Sequence, residues 1–288
     1  MPLTILPCFD SDELAARWRT MLDMPRDRAR MLGESAVAAL ARGYYDGPSG
    51  ERISIRALVD AAVAARRSLP PEASLPSGGI VSWEETVVSV GNLSTLTATQ
   101  QLEGEGYRPL ALNFANGVTP GGGFLHGARA QEEGLCRASG LHATLEGDPM
   151  YAHHRTRPLP DSTPWCILSP RVPVFRDDAG EPLPEPWLMD VLTCAAPYAP
   201  ALGLDHSAQL LRERIDRVLA VAHACGYETL VLGAWGCGAF GNDPAQTARD
   251  FRAALEGPWH GKFRRVSFAI TDWSPERQFL APFREVFR

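Results

Sequence analysis

The sequence predicts an α/β fold in which helices cover both faces of a largely parallel or mixed sheet. Three features carry that reading. From Glu84 onward, short apolar runs alternate with segments of helical period. Two of the apolar runs end in glycine-rich turns that lead into helices. The chain has 288 residues, long for one domain and short for two full ones, which leaves room for an extension.

That extension is expected over 1–80 and should be mostly helical, packed on the core. Residues 10–43 read as two helices. Asp10 or Ser11 can cap the first, Pro25 suits the first turn of the second, and Gly43 is a normal stop. A short strand at 52–55 and the Ala-rich helix IRALVDAAVAARR follow. LPPEASLPSGG, rich in Pro, Ser and Gly, reads as a linker.

The core is expected over 81–288. ETVVSV is a strand and NLSTLTATQQLE a helix; PLALNFA is a strand, followed by three glycines and the helix QEEGLCRASGLHATL. WCILSP, VPVF and WLMDVLTCAA are strand-like. Residues 205–225 form a long amphipathic helix. TLVLGAW is a buried strand, DPAQTARDFRAALEG a helix and RVSFAITD the last strand. No internal repeat or low-complexity tract interrupts this order.

Composition narrows the class. At 45 % hydrophobic and 22 % charged, the chain has the make-up of a globular domain. Its apolar runs are shorter than the roughly 18 residues needed to cross a bilayer. Asp10, Asp12 and Glu13 near the N-terminus do not suit a signal peptide, so a cytoplasmic protein without membrane contact is expected. Net charge is −6 with no Lys/Arg run, which argues against direct DNA binding. An anionic ligand would have to be held by backbone N–H groups and helix N-termini.

Six dispersed cysteines form no C-x-x-C pair, so neither a zinc site nor a disulfide framework is expected, and they read as small buried thiols. His153 and His154 stand in a turn-like stretch and read as surface residues. No metal or cofactor is expected.

The segment from 121 to 133 is the candidate active site. Gly121, Gly122 and Gly123 remove every Cβ between a buried strand and a helix, so backbone N–H groups can approach phosphate oxygens. Glu132 and Glu133 follow in the first helical turn, where the dipole favours carboxylates. Alone they could merely decorate a helix end. Beside an anion, however, two carboxylates are costly unless one is protonated or does chemistry. Neighbours on a helix point about 100° apart, given 3.6 residues per turn. They cannot easily flank a glycosidic bond as the usual carboxylate pair does, so one Glu should move the proton while the other orients sugar hydroxyls.

The second loop, GAWGCGAFGNDP, also links a strand to a helix that Asn242 or Asp243 can cap, with Pro244 in its first turn. GCGAFG formally matches G-x-G-x-x-G, but it begins at Gly236 with only one more strand to come. Asp272 lies beyond the roughly 20-residue spacing of a dinucleotide site. A second phosphate cradle facing the first fits better, and two loops suit a diphosphate. Phe240 either plugs the core or packs on a ribose.

GGG, seven residues, then QEE resembles the signature of the bacterial-type poly(ADP-ribose) glycohydrolases, which are macrodomain enzymes. Arg28, Ser35, Gly43 and Tyr45 resemble the family's N-terminal pattern. ILSPRVPVFRDD, DVLTCAAP, LVLGAWGCGAFGNDP and FAITD extend the resemblance over nearly the whole chain. It implies a three-layer α/β/α macrodomain-like sandwich with a mixed sheet, and hydrolysis of ribose–ribose bonds in poly(ADP-ribose). Exo action would release ADP-ribose, reversing ADP-ribosylation of proteins.

By the same resemblance, Glu133 would protonate the leaving ribose oxygen and then deprotonate water, Glu132 would hold ribose hydroxyls, and Gln131 would support the loop. Gly121, Gly122 and Gly123, together with Gly236, Cys237, Gly238, Ala239, Gly241 and Asn242, would enclose the diphosphate. Phe240 would orient the distal ribose and Asn113 would contact it. Thr119 stands where the family commonly has Asn, and Ser94 where it tends to have an acid. Neither departure touches the glutamates, so activity is expected. The alternatives are a hydrolase of mono-ADP-ribosyl or O-acetyl-ADP-ribose linkages, and a non-catalytic ADP-ribose reader.

Overall fold

A computed structural model describes residues 3–76 and 82–288. The expected boundary at 80/81 and the end of the expected linker lie outside the described residues.

The extension opens with strand β1 (Thr4–Ile5), helix α1 (Asp12–Leu22) and helix α2 (Arg26–Arg42). Ser11 caps α1 by accepting from the Leu14 N–H at 3.2 Å. Gly43 ends α2 in the left-handed region at φ 80°, which a glycine adopts without a Cβ penalty. A hairpin of β2 (Tyr44–Asp46) and β3 (Arg52–Ser54), helix α3 (Arg56–Ala65) and strand β4 (Arg67–Leu69) complete it. β1, β2 and β4, of two or three residues, are too short to show a period and were not expected.

The core runs β5 (Val87–Gly91), α4 (Thr95–Gly104), β6 (Pro109–Ala115), α5 (Gln131–Ala138), α6 (Leu141–Leu145), α7 (Pro149–Arg155), β7 (Cys166–Arg176) and β8 (Pro182–Ala195). It ends with α8 (Ala199–Leu202), α9 (Leu204–Ala224), β9 (Thr229–Leu232), α10 (Pro244–Glu256), β10 (Arg265–Ala269) and α11 (Leu280–Val286). Eight strands form one mixed sheet in the order β1-β5-β10-β9-β6-β8-β7-β4. Neighbours from β1 through β8 are parallel, and β7 is antiparallel to both β8 and β4. Both edge strands of the sheet, β1 and β4, therefore come from the first 69 residues.

Strand residues alternate between the two faces. Leu110, Leu112, Leu230 and Leu232 pack with α9, α10 and α11, whereas Ala111 and Val231 pack with α4, α5, α6 and α7. Helices on both faces of a mixed sheet are the architecture expected from the sequence.

The stretch holding His153 and His154, expected to be turn-like, is helix α7, and two expected elements are divided differently. The helix starting at Gln131 breaks at Ser139, whose backbone turns extended (φ −145°, ψ 175°) to bridge Val174. The Gly140 N–H donates to Pro173 O at 2.8 Å, so tertiary pairing with β7 overrides helical continuity. Conversely, ILSP and VPVF are one strand, kept in one sheet by a bulge where Arg171 takes φ 54°.

The family-like residues of the extension tie it to the β7–β8 hairpin. Arg28 pairs with Glu181 at 3.0 Å, Ser35 Oγ accepts from Arg176 at 2.9 Å, and Tyr45 donates to Leu183 O at 2.8 Å. Among the described residues, no helix is long and apolar enough to cross a membrane.

Candidate active site

Strands β5, β10, β9 and β6 end along one edge of the sheet, and a cavity of about 280 Å³ lies across their C-terminal ends. Gln131, Glu132 and Glu133 line it from α5, and Gly236, Gly238, Ala239 and Phe240 line it from the loop after β9. Ser94 and Thr95 at the start of α4, and Leu22 at the end of α1, also line it.

Gln131 fixes the start of α5. Its Oε1 accepts from the Phe114 N–H at 2.9 Å, and its Nε2 donates to Leu112 O at 2.7 Å and Thr95 Oγ1 at 3.0 Å. One side chain thus joins α5 and α4 to the end of β6.

Glu132 and Glu133 are both buried, 3 % and 8 % exposed. Glu132 Oε2 accepts from the Asn116 N–H at 2.7 Å, and Oε1 lies 3.4 Å from Asn113 Nδ2. Burial pushes its carboxyl up to about 8; the Asn116 hydrogen bond opposes that rise and the neighbouring Glu133 adds to it. Glu133 Oε1 accepts from the Gly123 N–H at 2.9 Å, and its Oε2 is buried without a partner among the described residues. Both carboxyls are therefore held by backbone N–H groups of one connection, the chain between β6 and α5.

The first glycine loop does something other than expected. The Gly122 N–H donates to Thr119 O at 3.0 Å and the Gly123 N–H to Glu133, so neither is free to face a phosphate. Gly121 and Gly122 take φ 72° and 57°. These three glycines, like Thr119, do not line the cavity. Asn113 is also outside it: fully buried, it donates to Thr193 Oγ1 at 3.1 Å and supports Glu132 from beneath.

The second loop is an open cradle. The N–H groups of Gly238, Ala239 and Phe240 donate to no group among the described residues, and all three residues line the cavity. Successive free N–H groups suit an anion. Gly236 (φ 76°) and Gly241 (φ 66°) turn the chain around them. Asn242 is a scaffold within this loop: it accepts from Ser207 Oγ at 2.6 Å and donates to Pro197 O at 2.9 Å and Gly236 O at 3.1 Å. Cys237 points inward, 3.5 Å from Thr247 Oγ1, and Asp243 caps α10. Gly241, Asn242 and Cys237 shape the cradle without lining the cavity. Phe240 packs against the core and also lines the cavity.

Several residues carried no readable sequence signal. Asn116 reaches Glu132 through its backbone and folds its own loop by accepting from Val118 and Thr119 N–H, each at 2.9 Å. Arg129, on the wall, donates to Asp23 at 2.6 Å and Met24 O at 2.8 Å, clasping the α1–α2 corner to the segment before α5. Asp178 reaches in from the β7–β8 hairpin and accepts from Ser94 Oγ at 2.6 Å and Thr97 Oγ1 at 3.0 Å. A carboxylate therefore stands beside Ser94 although the sequence there has none. His154, expected at the surface, is 4 % exposed and bonds Gly117 O at 3.0 Å and Thr163 Oγ1 at 2.7 Å. Burial lowers its pKa to about 4, so a neutral ring buttresses the loop beneath Val118.

A family model described as the catalytic domain of microbial-type poly(ADP-ribose) glycohydrolase matches residues 33–177. Among solved structures, the chain is 41 % identical to poly(ADP-ribose) glycohydrolase from Thermomonospora curvata, with a TM-score of 0.83, covering 91 % of this chain and 100 % of that one. The Thermomonospora curvata enzyme bound to the inhibitor ADP-HPD is 43 % identical over the same shares, again with a TM-score of 0.83. The Deinococcus radiodurans enzyme in complex with ADP-ribose is 39 % identical, with a TM-score of 0.72, covering 79 % of this chain and 96 % of that one. A search of curated proteins returns no match.

Proposed function

From the premise that the chain belongs to the microbial-type poly(ADP-ribose) glycohydrolase family, we propose how its cavity cuts poly(ADP-ribose). The activity is that of a glycoside hydrolase; the residue roles are our reading. The observation that carries it is the state of Glu133. One carboxyl oxygen is tied to the Gly123 N–H, and the other is buried with no protein partner, on a residue that lines the cavity.

Glu133 gives a proton from that oxygen to the ribose oxygen that leaves, as the C–O bond to the distal ribose breaks with oxocarbenium character. The resulting carboxylate then takes a proton from the attacking water, restoring the acid. Glu132, whose carboxyl burial pushes well above the usual carboxylate range, can hold a proton and donate a hydrogen bond to a ribose hydroxyl. The free N–H groups of Gly238, Ala239 and Phe240 bind the diphosphate, and the Phe240 ring packs on the distal ribose.

The wall formed by Leu22 of the extension and by the 236–240 loop supports attack at a chain end, with ADP-ribose as the released unit. ADP-ribose bound in the Deinococcus radiodurans relative supports the same product. The macromolecular partners are ADP-ribosylated proteins, and we place the activity in the cytoplasm. The test is incubation of an automodified polymerase with wild type and Glu133→Gln, identifying the released nucleotide. Free ADP-ribose from wild type alone is expected, and near-wild-type turnover by Glu133→Gln would overturn the assignment.

A further inference from the structure

Three loops meet beside the cavity, next to Asn116 and Phe240 of its wall. A Cβ at Gly117 would lie 2.5 Å from Ser162 Oγ and 3.3 Å from the Ala195 Cβ, so the chain after β6 touches both the 159–163 segment and the end of β8. The Tyr198 N–H donates to Pro160 O at 3.2 Å, closing the third contact. Each loop exposes a large apolar side chain here: Val118 is 41 % exposed, Leu159 51 % and Tyr198 37 %. Tyr198 also stands edge-on to Phe240, ring centroids 5.8 Å apart, and its hydroxyl has no partner among the described residues. The Phe240 N–H region is joined to the same turn, since the Ala199 N–H donates to Phe240 O at 3.0 Å.

An exposed apolar rim beside the cavity suits an apolar ligand surface. The substrate supplies one. In poly(ADP-ribose) the oxygen released from the distal ribose belongs to the ribose of the next nucleoside, whose adenine hangs one sugar away from the broken bond. With the distal ribose on Phe240, that leaving nucleoside emerges beside the ring that touches Phe240. We propose that Tyr198, flanked by Val118 and Leu159, is a stacking platform for the adenine of the leaving unit. This inference rests on the glycohydrolase reading and adds a specificity element on the leaving side. Stacking needs a flat aromatic face and no hydroxyl, and it orients the leaving oxygen toward Glu133 without holding the ADP-ribose unit itself.

The test compares wild type, Tyr198→Ala and Tyr198→Phe by kcat/KM on polymer and by ADP-ribose affinity in calorimetry. Tyr198→Ala should lose about tenfold in kcat/KM on polymer, mainly through KM, with ADP-ribose affinity unchanged, while Tyr198→Phe stays near wild type. Unchanged polymer turnover in Tyr198→Ala overturns the platform. So does an equal loss of ADP-ribose affinity, which would mean that Tyr198 merely props Phe240. A wild type that binds ADP-ribose yet cuts no polymer would remove the glycohydrolase reading first, and the platform with it.

Discussion

Gly122 leaves the space that Glu133 occupies. A Cβ at Gly122 would overlap Oε1 of Glu133 and stand 3.0 Å from Oε2 of Glu132. The residue also takes φ 57°, a conformation that side chains disfavour. The glycine run is therefore the socket of the glutamate pair. Gly122→Ala should push the carboxyls off position while the sheet stays intact. Misplacement of about 1 Å can cost roughly 100-fold, so kcat should fall by about that factor with unchanged circular dichroism.

Glu133→Gln keeps the shape of the side chain and can still accept from the Gly123 N–H, but it cannot give or take the proton. Turnover on polymer should drop by roughly 100- to 10,000-fold, the usual worth of a positioned acid–base group. ADP-ribose affinity, measured by calorimetry, should stay within a few-fold of wild type.

Glu132 makes stability depend on pH. Its folded pKa, about 8, lies above the ordinary 4.5, so the native state binds the proton more tightly than the unfolded chain does. That contribution is fully present below pH 4.5 and is lost as pH rises toward 8. The slope is at most about 1.4 kcal/mol per pH unit. Glu132→Gln should flatten the decline of urea-unfolding stability between pH 5 and 8. An unchanged slope would remove this carboxyl as its source.

Asn242 is predicted to act through the cradle it builds. Asn242→Ala removes bonds to Ser207, Pro197 and Gly236 in a buried setting. It should cost about 1–3 kcal/mol in chemical denaturation. ADP-ribose should bind more weakly because the 238–240 N–H groups lose their frame. At saturating substrate, kcat should change little.

The order of strands and helices, the two glycine loops and the glutamate pair were legible in the sequence, because each rests on local chemistry. Periodicity reports which side of an element is buried, and runs of glycine report where the backbone must bend or be approached closely. Helix geometry by itself left room for one proton-transfer residue.

Tertiary structure decided what those features touch. Three glycines look like a phosphate loop in one dimension, but hydrogen bonding to Glu133 and Thr119 uses two of their N–H groups, whereas the 238–240 N–H groups of the second loop donate to no group among the described residues. Asp178 beside Ser94, Asp23 on Arg129 and Tyr198 beside Phe240 join segments brought together by the sheet order and the turns around it. The burial that raises Glu132 depends on that whole surround. Sequence spacing carries short-range geometry, whereas desolvation and contacts between distant segments exist only once the chain has closed on itself.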